Sequence, residues 1–225
     1  MKVKLVSYSQ PAGEIEGLEN VQDLIAYAAR VSNPSNQLNT ETSTRLLNYL
    51  AKHKHWSPFE MVSACLEIET TRDIARQILR HRSFSFQEFS QRYADPTKDL
   101  DFVLREARLQ DPKNRQNSVE LNIHDDEEHA KLHIDWHEKQ QAVIDAAQEA
   151  YAWAIKNGVA KEQARAVLPE GNTVSRMYMN GTLRSWIHYI ELRAANGTQL
   201  EHMQIARAVA QVITEIFPLA EDYIS

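Results

Sequence analysis

With a single cysteine, Cys65, the chain has no disulfide framework and no cysteine-based metal site, which suits a reducing cytoplasm. Glycine is scarce too, six in 225 residues, and no Gly-rich dinucleotide fingerprint is present. No Gly/Ser or Pro linker divides the sequence, so residues 1–225 read as one domain able to bury a full core. No run of apolar residues approaches membrane-spanning length, and MKVKLVSYSQ at the start has no long apolar segment. A soluble cytoplasmic protein without a membrane partner is the expectation. A basic surplus is also missing: 25 Lys and Arg stand against 31 Asp and Glu, a formal charge of −6. A general nucleic-acid binder rests on a broad basic surface, so that class is disfavoured.

The basic residues are concentrated instead. Arg80-His81-Arg82, then seven residues, then Ser90 lie in RHRSFSFQEFSQRY, where cations stand beside aromatics, serines, Gln87, Glu88 and Arg92. Guanidinium forks grip phosphate bidentately, rings and guanidinium planes stack on bases, and amides, hydroxyls and carboxylates read polar edges. The mixture suits an anion that carries an aromatic ring. Before it, Thr71 to Leu79 reads as a helix with Ile74, Ala75, Ile78 and Leu79 toward a core and Arg72, Arg76 and Arg80 recurring every four residues. Like charges in such a row need solvent, a carboxylate or a phosphate to neutralise them.

The organisation is mixed α and β. Lys2 to Leu5 alternate as a strand, and so do Val62 to Glu69; Asp101 to Arg105 is a further strand candidate. Val21, Leu24, Ile25, Ala28 and Val31 keep the helical period, and a second helix is expected from Glu41 to about His53 with Thr40 as cap. Asn114 to His124 has no clear period, so 109–125 reads as a loop or surface insertion. A long helix follows from Asp126, with Asp125 as cap, to Asn157-Gly158. A short helix at Glu162 to Val167, an extended segment at Asn172 to Met179, and helices at Leu183 to Ala194 and Gln199 to Phe217 complete the chain.

Two constellations compete for attention. His129, His133 and His137 stand four apart, a spacing that metals use. Against this, Leu132 and Trp136 read as the core stripe of that helix, which turns the histidines toward solvent, so no metal is expected. Cys65 could be a nucleophile toward a pyrimidine ring, but a reactive thiol needs an electropositive setting. Its neighbours Ala64, Leu66, Glu67 and Glu69 offer none, and a packed thiol is the better reading.

Arg80-His81-Arg82 with Ser90 resembles the motif of the flavin-dependent thymidylate synthases. The likeness continues in Ala29-Arg30-Val31-Ser32, in His53 to Glu60 (HKHWSPFE), in Ala75-Arg76-Gln77, in Ala164 to Pro169 (ARAVLP), in Leu183 to His188 (LRSWIH), and in Leu192-Arg193-Ala194 with Gln199 and Glu201 following. Ordered blocks over most of the chain are far more specific than any one of them.

The resemblance implies an α+β fold, a mixed sheet with packed helices, assembled as a homotetramer with active sites shared between subunits. It implies reductive methylation of dUMP to dTMP, with methylenetetrahydrofolate as carbon donor, FAD as redox cofactor and NADPH as reductant, releasing tetrahydrofolate. Carried over by motif, Gln77, Arg80, Glu88, Phe89, Ser90, Gln91, Arg92, Arg165 and Arg193 would contact dUMP. Ser57, Arg80, His81, Arg82, Glu88, Arg184 and His188 would contact FAD, with Ser32 and His55 as further flavin-pocket candidates. Arg193 would lie against the uracil and act catalytically by favouring charge that develops on the ring. Some relatives carry Asp and His where this chain has Ala195, Asn196 and Gly197, and some have Asn at the position of His188. A nucleotide-binding module without catalysis and a histidine-based metalloenzyme are the alternatives from other classes.

Overall fold

The computed structural model describes residues 1–223. In chain order its regular elements are β1 (Lys2–Tyr8), α1 (Val21–Ala29), α2 (Ser43–Lys52), β2 (Ser63–Thr71), α3 (Arg72–Ile78), β3 (Ser85–Glu88), α4 (Pro96–Asp99), β4 (Arg108–Gln110), β5 (Ser118–Glu120), α5 (Glu127–Lys156), α6 (Lys161–Ala164), β6 (Val174–Thr182), α7 (Leu183–Arg193) and α8 (Leu200–Ile216). Short 3-10 turns join several of them, among them Ser57–Glu60 and Arg165–Val167.

The main sheet runs β1-β2-β6-β3. This is the α+β class expected, with helices packed on a sheet, but the sheet does not mix strand directions: all its pairings are antiparallel. Its centre is the β2–β6 pair, in register from Ser63 opposite Thr182 to Thr71 opposite Val174. Alternation decides which face is covered. Ala64, Leu66, Ile68, Met177 and Met179 are buried beneath α7 and α8 residues such as Trp186, Ile190, Ile205 and Val209. The other face carries charge, with Arg176 on Glu69 at 2.9 Å and Lys2 and Lys4 each 3.5 Å from Glu69 and Glu67. Trp186 ties its helix to the sheet by donating Nε1–H to the Ala64 carbonyl at 3.1 Å.

Several local expectations are corrected. Thr42, not Thr40, precedes α2, and Val31 lies outside α1 and is exposed. Asp126 rather than Asp125 caps α5, its carboxylate accepting from the backbone of Glu128 and His129. The 101–105 segment forms only one bridge, Phe102 with Thr173. The 109–125 stretch is not structureless: its residues complete the β4–β5 hairpin, whose three-residue strands are too short to show a period.

The largest correction concerns α5. Its buried face is Gln140, Ile144, Ala147, Tyr151 and Ala154. Stepping back from Gln140 by three, seven and eleven positions reaches His137, His133 and His129, which therefore continue the inward face and are half-buried. Leu132 and Trp136 are each 43% exposed. Gln140 replaces an apolar residue at the contact because its amide satisfies backbone groups. Its Oε1 accepts from Arg105 N–H at 2.8 Å and its Nε2 donates to the Arg105 carbonyl at 2.9 Å.

Candidate active site

Helix α3 starts at the end of β2 because Thr71 is already extended and Asp73 favours the first turn. Its apolar residues Ile74, Ala75 and Ile78 are fully buried, which fixes the rotation of the helix and points the arginine row away from the core. Two of those arginines are neutralised by carboxylates: Arg72 lies 3.5 Å from Glu88, and Arg76 pairs with Glu170. Arg80, at the helix end, is exposed and makes no ion pair among the described residues, and the same holds for Arg82.

After the turn, the chain is pinned by aromatic packing. The Phe84 ring stands 4.6 Å from Trp186 and 6.0 Å from Tyr189, edge on. The Ser185 hydroxyl donates to the Ser83 carbonyl at 3.2 Å. Strand β3 then pairs with β6, placing Glu88 opposite Met177. The Glu88 carboxylate accepts from the Ser175 hydroxyl at 2.7 Å, so its position is set by β6 as well as by Arg72.

His81 and Arg193 meet here. Arg193 Nε donates to His81 Nε2 at 2.9 Å, and the His81 ring packs edge-on against Tyr189 at 4.9 Å. Burial holds the His81 pKa below the ordinary histidine value, and the Arg193 charge adds to the effect. Behind them His202, fully buried on α8, touches Tyr189 and Gln77. Burial first, then the electrostatic effects of Arg193 and His81, push its pKa down to about 4, and burial raises that of Tyr189. Gln77, His81 and Arg193, from separate sequence blocks, are thus gathered into one cluster.

Gln91 is buried, and its Nε2 has no hydrogen-bond partner. Ser90 Oγ accepts from the Arg92 backbone N–H at 3.4 Å, and Phe89 N–H reaches the Arg176 carbonyl at 2.8 Å. Arg92 and Arg165 approach a common residue: the Glu162 side chain is 3.4 Å from Arg92, and its carbonyl accepts from Arg165 Nε at 3.3 Å. Among the described residues no hydrogen bond or ion pair joins this group to Arg193 and His81.

A third group lies along α7 and the segment before β2. Arg184 pairs with Glu60, and His188, one turn on, packs edge-on against Trp56 at 5.0 Å. Ser57 is exposed at the start of the 3-10 turn. His55 is exposed and forms a ring cluster with His53 and Tyr49, whereas Ser32 is exposed in the turn after α1. The HKHWSPFE and LRSWIH blocks therefore face each other. Among the described residues no group of three or more His, Cys, Asp or Glu side chains could hold a metal ion. Burial pushes the Cys65 thiol pKa up, away from a reactive thiolate.

Sequence reasoning passed over Tyr189, His202, Ser175 and Glu162. Only His202 left a signal, a polar residue on the otherwise apolar face of α8 with Ile205, Ala206 and Val209.

The family described as thymidylate synthase complementing protein matches residues 15–219. A probable flavin-dependent thymidylate synthase of Paramecium bursaria Chlorella virus 1 is 47% identical over 218 residues, covering 97% of this chain and 96% of the relative. The flavin-dependent thymidylate synthase of a Synechocystis strain is 47% identical over 220 residues, with the same coverage of each. Among solved structures, a UMP/dUMP methylase from Streptomyces cacaoi bound with 5-bromo-dUMP shares the fold, at a TM-score of 0.78 and 23% identity over 99% of this chain and 93% of its own.

Proposed function

The chain belongs to the flavin-dependent thymidylate synthase family, and from that premise we propose that it converts dUMP, methylenetetrahydrofolate and NADPH with a proton to dTMP, tetrahydrofolate and NADP+. The observation that carries this reading is that Arg193, 112 residues further along the chain, donates to His81 beside the arginine turn, where Gln77 joins the same cluster through His202 and Tyr189.

The residues fit an FAD. Arg80 and Arg82 are exposed cations able to take a pyrophosphate, and Arg184, His188 and Ser57 supply further donors, with Glu88 available as an acceptor. Bound flavin supplies the two-electron relay between NADPH and the one-carbon unit. On the nucleotide side, Arg80, Arg92 and Arg165 are the phosphate grips, and Ser90, Gln91, Phe89, Glu88 and Gln77 orient the nucleotide. The buried, unpartnered Gln91 Nε2 is a donor open to a bound group. Arg193 is the catalytic residue, its fixed positive charge favouring negative charge that develops on the uracil when C5 is activated.

We place the chain, as a single domain, in a homotetramer with shared sites. Two observations support that assembly. The Arg92–Glu162–Arg165 group and the Arg193–His81 pair are unconnected within one chain, and α5 exposes Leu132, Trp136, Val143 and Trp153, an apolar stripe that calls for a partner. The described helices include none long and apolar enough to cross a membrane. The test is anaerobic turnover of FAD-reconstituted protein with dUMP, NADPH and methylenetetrahydrofolate. Formation of dTMP is the expected result, and its complete absence would refute the assignment.

A further inference from the structure

The side-chain amide of Gln77 is clamped at both ends. His202 Nδ1 lies 3.2 Å from its Oε1, and its Nε2 donates to Gln199 Oε1 at 2.8 Å. Gln199 Nε2 in turn donates to Glu201 Oε2 at 2.9 Å. The chain of bonds has one direction, and the carboxylate sets it. Glu201 carries ion pairs to Arg108 and Arg105 and is held ionised, so it only accepts. Gln199 must therefore turn its NH2 to Glu201 and its carbonyl to Gln77. Gln77 must give an N–H to that carbonyl, which leaves its own carbonyl toward His202. An amide oxygen only accepts, so His202 carries its proton on Nδ1 and accepts on Nε2, where the Tyr189 hydroxyl is 3.1 Å away and donates.

Each assignment follows from the one before, and none is reversible without turning a donor onto a donor or an acceptor onto an acceptor. The burial that keeps His202 neutral keeps a single tautomer in place. An unclamped glutamine would turn over freely and present either a donor or an acceptor at a given point. The clamped one retains one N–H and one lone pair at fixed places.

We propose that His202 is a positioning residue for the nucleotide: through its Nδ1–H it locks the Gln77 amide in the orientation that dUMP binding uses. The inference rests on the placement of Gln77 in the dUMP site. Removing the His202 end leaves the amide tethered to Gln199 alone, which adds rotamer freedom that must be lost on binding. The expected cost is roughly three- to tenfold in dUMP affinity.

The experiment is steady-state kinetics with dUMP varied, for His202→Leu and His202→Asn, each also in a Gln77→Ala background. His202→Leu should raise the KM for dUMP roughly three- to tenfold, with kcat and bound flavin near the parent values. His202→Asn, whose amide N–H can stand in for Nδ1–H, should return the KM to within about twofold although it loses the Tyr189 contact. In the Gln77→Ala background His202→Leu should add nothing. An unchanged KM in His202→Leu, or an equal rise with and without Gln77, would overturn the proposal. If His202→Leu does not fold, Gln199→Leu at the partly exposed start of α8 removes the other clamp. It should give the same Gln77-dependent rise, and no rise refutes the lock. If the parent makes no dTMP, the reaction assignment has failed on its own, and calorimetric titration of the same variants with dUMP then reads the clamp directly.

Discussion

Arg193 at the end of α7 donates Nε–H to Nε2 of His81 in the turn after α3, at 2.9 Å. Arginine has no acceptor, so His81 must be neutral with its proton on Nδ1. The residue assigned to the uracil and the residue assigned to the flavin are thus one mechanical unit. Arg193→Ala should lower kcat by roughly a hundredfold or more, the cost of removing a donor aimed at developing charge, while flavin content falls far less. The same variant should let the His81 pKa rise toward its ordinary value, since one of the two causes of its depression is removed. Turnover equal to the parent would take Arg193 out of the catalytic role.

The same hydrogen bond bears on Ser90, a tempting nucleophile. A serine hydroxyl needs a positioned base, but the nearest histidine in sequence, His81, has its acceptor nitrogen taken by Arg193, and the Glu88 carboxylate is engaged by Ser175 and Arg72. Ser90 Oγ meanwhile accepts from the Arg92 backbone. Ser90→Ala should weaken dUMP binding by about tenfold, the worth of one good hydrogen bond, and leave dTMP formation at saturating dUMP. A covalent Ser90–uracil adduct located by peptide mass spectrometry would restore the nucleophile.

How much of this was legible in the sequence depends on what made the pattern. The β2 alternation of Ala64, Leu66 and Ile68 against Cys65, Glu67 and Glu69 was readable because a sheet with one covered face writes burial into the sequence with period two. The arginine row was readable for a similar reason, as the face left over once Ile74, Ala75 and Ile78 enter the core. On α5 the same reasoning misplaced Leu132 and Trp136. An apolar stripe marks a surface that avoids water, without saying which neighbour covers it, and Gln140 holds the inward position through backbone hydrogen bonds that no hydropathy pattern encodes. The amide chain from Glu201 to His202 is invisible for a further reason: two of its links join residues 122 and 125 positions apart.

The histidines of α5 lie inward, and His129 Nδ1 accepts from the Asn122 backbone N–H at 3.1 Å. The His133 and His137 rings lie 4.2 Å apart, tilted by 52° to one another. Replacing all three by Gln should leave turnover within about twofold and cost on the order of 1 kcal/mol of stability through the lost Asn122 bond. Loss of activity together with stoichiometric bound metal would reverse the assignment.

Stability should carry the mark of His202. Its folded pKa of about 4 lies below its unfolded value, so the unfolded chain binds the extra proton between roughly pH 6.5 and 4. The contribution is complete above about pH 6.5 and is lost as pH falls through 4, amounting to on the order of 3 kcal/mol. Urea denaturation at pH 7 and pH 5 should show His202→Asn losing less stability over that interval than the parent, by about 2 kcal/mol. Equal losses in the two proteins would show that His202 is not a buried neutral group.

Gly181 makes the arginine turn possible. It sits in β6 opposite Ala64, and a Cβ built there would stand 2.3 Å from the Phe84 ring. Its backbone has no positive φ, so the need for glycine is one of space alone. Phe84 fills that space because Trp186 and Tyr189 hold its other edges, and the ring in turn carries the chain from Arg82 into β3. Gly181→Ala therefore cannot be absorbed by a small rotation of a free side chain. Either Phe84 leaves its pocket or β6 shifts against β2, at a cost of about 1–3 kcal/mol, typical of an overpacked core. Because His81 leans on Tyr189, which Phe84 also touches, the displacement should reach the site as well. The expected result is a lower midpoint in thermal unfolding together with a raised KM for dUMP. Phe84→Leu combined with Gly181→Ala relieves the clash and should recover part of the stability but little of the affinity, since the ring that positions the turn is gone. A Gly181→Ala protein with parental stability and parental KM would show that Phe84 does not hold the turn in place.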